Sequence, residues 1–189
     1  ISTIAFVTTM PMSISTPIPP EVIVLPLTAA DFAGFLAKRR TVDDGFVALL
    51  PGNGTGTPSL RRHGEDVSPD DHPLLVRAEP FALPLDAFRP KTSDAFAVTL
   101  AGSIEVAVDV RDAAAVTDLI RFAGGGRYPT EAVTVADLMP LLAGQIERAL
   151  ASVFAVRGAG NVHGADLRER VAAELGAALR AWHLDLGLV

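Results

Sequence analysis

The densest group of reactive side chains lies in RRHGEDVSPDDHP, residues 61–73, where His63 and His72 flank Glu65, Asp66, Asp70 and Asp71. Imidazole and carboxylate groups are the ligands of zinc and of harder cations. The spacing matches no established metal site, and a solvated acidic loop accounts for it. His63, His72, Asp70 and Asp71 are therefore weak metal candidates, and no cofactor is expected. Asp109, Arg111 and Asp112 form a second group, readable as an acid–base cluster. Helix capping and solvation at a strand end explain them without chemistry. Gly52-Asn53-Gly54-Thr55-Gly56 has the glycines of a phosphate loop but lacks the Gly-Lys-Ser/Thr ending and a following helix. A hairpin turn is the stronger reading, because asparagine and glycine accept positive φ. Asn53-Gly54-Thr55 also spells a glycosylation sequon.

Other nucleophiles are no better placed. There is no Gly-x-Ser-x-Gly elbow. His163 sits in a turn and His183 near a helix end, the positions of caps or surface groups. The chain has no cysteine, which removes disulfides, thiolate catalysis and cysteine-ligated metals. With no nucleophile–base pair, metal cluster or nucleotide motif, no catalytic residue is expected, and the chain is read as a non-enzyme.

The bulk composition narrows the class further. A chain of 189 residues can bury a substantial core as one domain, with or without a small extension. At 49% hydrophobic it folds rather than staying disordered. Its 22 acidic and 16 basic side chains give a net charge of −6, which argues against a general nucleic-acid binder. Lys38-Arg39-Arg40 is read as the exposed last turn of a helix. The lack of cysteine fits a reducing cytoplasm, and a preference for Ala, Val, Leu and Arg fits a GC-rich bacterial genome. No run approaches the roughly 20 apolar residues of a membrane span. Residues 1–14, ISTIAFVTTMPMSI, contain Pro11 and lack the basic start of a signal peptide. A cytoplasmic location is expected, and membrane association would need a segment not in this chain.

The elements that would position these groups follow from periodicity. Residues 15–20, STPIPP, read as a linker. EVIVLPL (21–27) is a strand candidate, and Thr28 with Asp31 begins a helix carrying Phe32, Phe35 and Leu36. GFVALLP (45–51) reads as a buried strand. LLV (74–76) and PFALPL (80–85) read as short strands that their prolines confine to edges or strand ends. Residues 61–73 show no periodicity. AFAVTLAGSIEVAVDV (95–110) alternates on both sides of Ala101-Gly102-Ser103, which predicts a hairpin burying Phe96, Val98, Leu100, Ile104, Val106 and Val108.

Three helices complete the chain. Asp112 caps one carrying Val116, Leu119, Ile120 and Phe122, ended by Gly124-Gly125-Gly126. Thr134 or Asp137 opens the next, with Pro140 favouring Asp137 as the cap. The last opens at or just before Asp166 and presents Leu167, Val171, Leu175, Leu179 and Trp182 on one face, with Gly187 as its stop. Trp182 is expected to be a buried anchor. Strands first and helices later predict an α+β domain, helices packed on one face of an antiparallel sheet.

This order and its residues resemble the SPFH or band seven domain of stomatins, prohibitins and flotillins, over about residues 41–189. Residues 1–40 are then an N-terminal extension of strands and a short helix. Thr92-Ser93-Asp94 occupies a Thr-x-Asp turn common in the family. Val108, Asp109 and Asp112 occupy the hairpin exit, and Leu186-Gly187-Leu188 the leucine-glycine-apolar step after the paired helices. In the family that glycine leads into a further strand, and neither that strand nor a later coiled coil is expected within these 189 residues. The resemblance implies a non-enzymatic scaffold that self-associates into rings or arrays, often at a membrane. Its expected partners are copies of itself, other proteins or a membrane surface. A mean hydropathy of +0.35 and the apolar ISTIAFV segment are weaker supports for self-association. A small hydrolase or transferase, or a monomeric protein-binding adaptor, are the alternatives.

Overall fold

Phe46-Val47-Ala48-Leu49-Leu50 contains no polar side chain, and a strand of that kind needs cover on both faces. All five residues are buried. The structure, a computed structural model, describes residues 18–32, 39–52, 56–162 and 164–187. Its strands are β1 (Val22–Pro26), β2 (Arg40–Thr41), β3 (Phe46–Leu50), β4 (Ser59–Arg61), β5 (Asp66–Val67), β6 (Leu74–Arg77), β7 (Phe81–Pro84), β8 (Ser103–Val108), β9 (Val133–Thr134) and β10 (Leu184–Leu186). The helices are α1 (Ala113–Ala123), α2 (Val135–Phe154) and α3 (Ala165–Arg180).

Five strands form one sheet in the order β4-β3-β6-β1-β9, three form a second, β10-β8-β7, and β2 pairs with β5. Every ladder is antiparallel. The larger sheet separates two cores. Val47, Leu49, Leu74 and Val76 point to the side that holds the helices and the second sheet. Phe46, Ala48, Leu50 and Leu75 point to the other, where Phe32, Val42 and Val67 cover them. This is the period-two alternation of a sheet buried on both faces. The architecture is α+β, as the order of elements predicts. β1, from the expected N-terminal extension, is hydrogen-bonded between β6 and β9.

A buried charge ties the chain entry to this sheet. Arg77 is 7% exposed. Its Nε donates to the Val22 carbonyl at 2.9 Å and its Nη2 to the Pro19 carbonyl at 2.8 Å. The guanidinium lies 4.9 Å from the Phe46 ring centroid, a cation–π geometry.

The structure corrects several expectations. Residues 95–110 do not form a hairpin. β8 pairs with β7 and β10, whereas residues before it make only a single bridge, Lys91 with Ala97. Ile104, Val106 and Val108 are buried as expected, but Phe96 is 62% exposed. Ala95 has φ of 67°, which breaks the alternation and turns Phe96 outward. β6 is the central strand and meets the strand-end alternative, because Pro73 and Pro80 lie outside its ends and interrupt none of its donors. β7, which ends in Pro84, does lie at an edge. The polar stretch 61–73 is ordered: it carries β5 and a short 3-10 turn at Pro69–Asp71 capped by Ser68.

The helix ends differ as well. Thr134, not Asp137, caps α2. The two form a reciprocal capping box, Asp137 accepting from the Thr134 N–H at 2.9 Å. Pro140 then lies inside the helix, on its exposed side. α3 ends at Arg180, and a strand follows instead of a stop at Gly187. His183, with φ of 58°, makes the left-handed reversal usually given to glycine. Trp182 is half-buried rather than fully buried, and stacks on Phe122 with ring centroids 3.7 Å apart. The expected features at residues 1–14, Phe35, Leu36, Lys38, Asn53-Gly54-Thr55, His163 and Leu188 lie outside the described residues.

Candidate functional site

The Thr92-Ser93-Asp94 turn is the most tightly built loop near the exposed apolar side chains. Thr92 is buried, and its hydroxyl donates to Asp94 Oδ1 at 2.5 Å while accepting the Phe96 N–H at 3.1 Å. The Thr92 N–H returns to the Phe96 carbonyl at 2.9 Å. The turn is also bolted to the chain between α2 and α3. Ser93 N–H donates to the Arg157 carbonyl at 2.8 Å, and the Asp94 carboxylate accepts from the Ala159 N–H. The Thr92 hydroxyl and then the Ala159 N–H hold the Asp94 carboxyl below its ordinary range. Arg157 pairs with Asp166 at the start of α3, which fixes the connection from its other end.

This clamp displays apolar surface. Phe96 projects from the turn, and Val156, one residue before the Arg157 carbonyl, is 68% exposed. The turn's one hydroxyl–carboxylate pair, Thr92 with Asp94, is taken up by the turn's own hydrogen bonds, and Thr92 is buried. What the turn offers is a rigid apolar corner for another surface, where little ordering entropy opposes contact.

A second cluster joins β8, α1 and β10. Arg111 grips Asp109 with two bonds, at 2.7 and 2.8 Å, and reaches Asp185 at 3.2 Å. Asp112 caps α1 by accepting the Ala114 N–H at 3.0 Å, as its sequence position predicts. His183 Nε2 lies 3.8 Å from Asp118. The hydrogen bonds from Arg111 pull the Asp109 carboxyl down to about 2. A carboxylate so firmly anionic is a poor general base at neutral pH. The cluster works as a joint between three elements.

The histidine–carboxylate stretch does not converge. Glu65 accepts the Arg62 N–H at 2.6 Å, Asp66 the Thr41 hydroxyl at 3.2 Å, and Asp71 the Ser68 N–H at 3.3 Å. Asp70 is exposed on the 3-10 turn, and His63 and His72 are exposed on either side of it. Among the described residues, no three His, Asp or Glu side chains gather as a metal-binding group. Two surface depressions are lined by Arg39, Ser68, Pro69 and Asp70, and by Leu50, Gly52, Ser59 and Asp71. Neither brings His63 or His72 to the Asp109–Asp112 corner.

Periodicity alone placed Phe96 in the core. The signal that would have found it is the Thr-x-Asp turn two residues earlier, whose geometry reverses the chain. Among the described residues, no helix is long and apolar enough to cross a membrane. No protein-family model matches the chain, and no curated protein matches it.

Proposed function

We propose that this chain is a non-enzymatic scaffold of the SPFH or band seven type, whose copies associate with one another and with protein or membrane surfaces. The observation that carries the reading is the corner at Phe96 and Val156. Phe96, two residues beyond the turn, and Val156, next to the Arg157 that the turn bonds, both leave an apolar side chain exposed. Holding them there forgoes the gain of burying them, about 1.5–3 kcal/mol for each side chain. A contact with another surface recovers it. The Thr92-Ser93-Asp94 turn also lies in residues 91–120, the stretch that carries most of the family resemblance.

Size-exclusion chromatography with light scattering tests the reading at tens of micromolar (roughly where weak interfaces become populated), with and without anionic vesicles. A mass above that of one chain, lowered by Phe96→Asp with Val156→Asp, is the expected result. A monomer under every condition overturns it. So does steady turnover of a nucleotide, ester or peptide that is abolished by one substitution at His63, His72 or Asp109.

A further inference from the structure

The alternating segment before β8 carries a strand edge that the fold leaves open. From Ala97 to Ala101 burial alternates residue by residue. Ala97, Thr99 and Ala101 are exposed, while Val98 and Leu100 are half-buried against the core. That is the period of an extended strand. The even residues turn their backbone groups toward the preceding chain. Val98 N–H donates to the Pro90 carbonyl at 2.8 Å, and the Gly102 carbonyl accepts the Leu85 N–H at 2.9 Å. The odd residues turn theirs the other way. From Glu105 onward that side is taken by β10: the Glu105 carbonyl accepts the Gly187 N–H at 2.7 Å, and Asp109 N–H donates to the His183 carbonyl at 2.9 Å. At Ala97, Thr99 and Ala101 the N–H and C=O groups find no backbone partner among the described residues.

An open edge is a template for another strand, and folds blunt it with charge, proline or brevity. The other edge strands of the two larger sheets are blunted in these ways. β4 is three residues long and ends in Arg61, β9 is two residues long, β7 ends in Pro84, and β10 carries Asp185. Residues 95–104 hold no charge and no proline. Their side chains also fit the segment to itself. Facing residues of an antiparallel pair share one face, so a two-fold axis passes where a residue faces its own copy. Centred on the middle open residue, it sets Thr99 against Thr99, and Ala97 against Ala101 on either side. Each of these pairings exchanges both backbone bonds. Threonine pairs are favourable across strands, and no like charges meet. Val98 faces Leu100, and the exposed Phe96 comes to Gly102, where no atom lies within 4 Å of the point at which a side chain would begin. An aromatic ring laid across a strand glycine fills such a gap.

We infer that residues 96–102 form a strand edge completed by the same edge of a second copy, antiparallel about a two-fold axis at Thr99. The inference deepens the scaffold reading and rests on it in that copies of the chain meet. An isologous contact closes at two subunits, so any larger assembly requires a separate surface. A single strand pair buries little area and belongs with the weak or transient interfaces.

Sedimentation equilibrium from micromolar to a few hundred micromolar tests this with wild type, Thr99→Pro, Thr99→Lys and Thr99→Glu. Wild type dimerises. Thr99→Pro removes an N–H that the folded chain does not use, and weakens association roughly tenfold or more. Lysine or glutamate at this position faces its own copy across the axis, so each variant dimerises less than wild type. An equimolar mixture of the two recovers association as a heterodimer, because residue 99 then meets the opposite charge. A register in which Thr99 faces another residue gives no such recovery. Hydrogen exchange supplies a second readout: the Ala97, Thr99 and Ala101 amides slow as concentration rises. Amides protected equally at every concentration show an edge covered within one chain and overturn the inference. So do Thr99 variants that associate like wild type, or a mixture no better than its parts. Unchanged circular dichroism and melting confirm that the variants keep the fold, and if Thr99→Pro melts early the lysine and glutamate pair decides alone. Assembly that persists through all three variants defeats this contact and leaves the scaffold reading standing. A Thr99-dependent dimer that turns over a nucleotide, ester or peptide keeps the contact and defeats the non-enzymatic reading. A wild type that is monomeric throughout defeats both.

Discussion

The Asp94 carboxylate accepts the Ala159 backbone N–H through both of its oxygens, at 3.0 and 3.1 Å, across 65 positions of sequence. The bond joins the loop before β8 to the connection between α2 and α3. One side chain thus couples the two halves of the chain at the corner that displays Phe96.

Asp94→Ala removes that acceptor and leaves the Ala159 N–H unpaired. We expect a lower melting temperature and faster amide exchange confined to residues 92–97 and 157–161. Hydrogen exchange read by mass spectrometry checks it. Exchange that rises uniformly over the chain would show that the clamp is not local.

Acid sensitivity follows from the second cluster. Asp109 has its pKa lowered in the folded state to about 2, from an ordinary 3.8, because Arg111 hydrogen-bonds its charged form. A carboxyl whose folded value is depressed contributes stability above its unfolded value and loses it as pH falls through the folded one. Melting temperature should therefore drop between about pH 4 and pH 2. Arg111→Ala should flatten that part of the curve, as a thermal-melt series over pH 6 to 2 would show.

Arg77 is expected to be the most sensitive charged position in the larger sheet. Arg77→Ala takes a buried donor from the Val22 carbonyl and leaves the Pro19 carbonyl with the Val22 N–H alone, and should cost on the order of 3 kcal/mol. Lysine should not rescue it, since a single ammonium cannot reproduce the planar fork. Urea titration of the two variants measures both effects.

Val106 is fully buried in the middle strand of the second sheet. Val106→Asp puts a carboxylate there with no partner and should destabilise by several kcal/mol, about 4 as an order of magnitude. An unchanged melting temperature would contradict the placement of β8.

Much of this fold is legible in the sequence where one residue's environment is set by near neighbours. The apolar run Phe46–Leu50, the Asp112 cap and the alternation of Ile104, Val106 and Val108 each announce a local structure that forms. Partnership is what alternation cannot state. Nothing in β8 says that its neighbours are Phe81–Pro84 and Leu184–Leu186 rather than the adjacent residues 96–100. His183 hid the end of α3 because a left-handed histidine has no glycine to mark it. Arg77 gave no signal either, because its acceptors are backbone carbonyls 55 and 58 positions away. The Phe96 corner was misread for a related reason: a residue fixed by a side chain–backbone turn obeys that turn and not the strand period.

The sheet order has a consequence for synthesis. β8 leaves the ribosome early, yet its ladder with β10 cannot form until Leu184 has been made. At elongation rates of about 5–20 residues per second, the stretch from Val108 to Leu184 takes roughly 4–15 s to translate. For that interval one side of β8 lacks its strand, with the apolar faces of α1 and α2 emerging beside it. The nascent chain is then at its most adhesive, and an unpaired strand edge is a template for other chains. Slowing translation between these codons should lengthen the exposure and raise the fraction lost to aggregation.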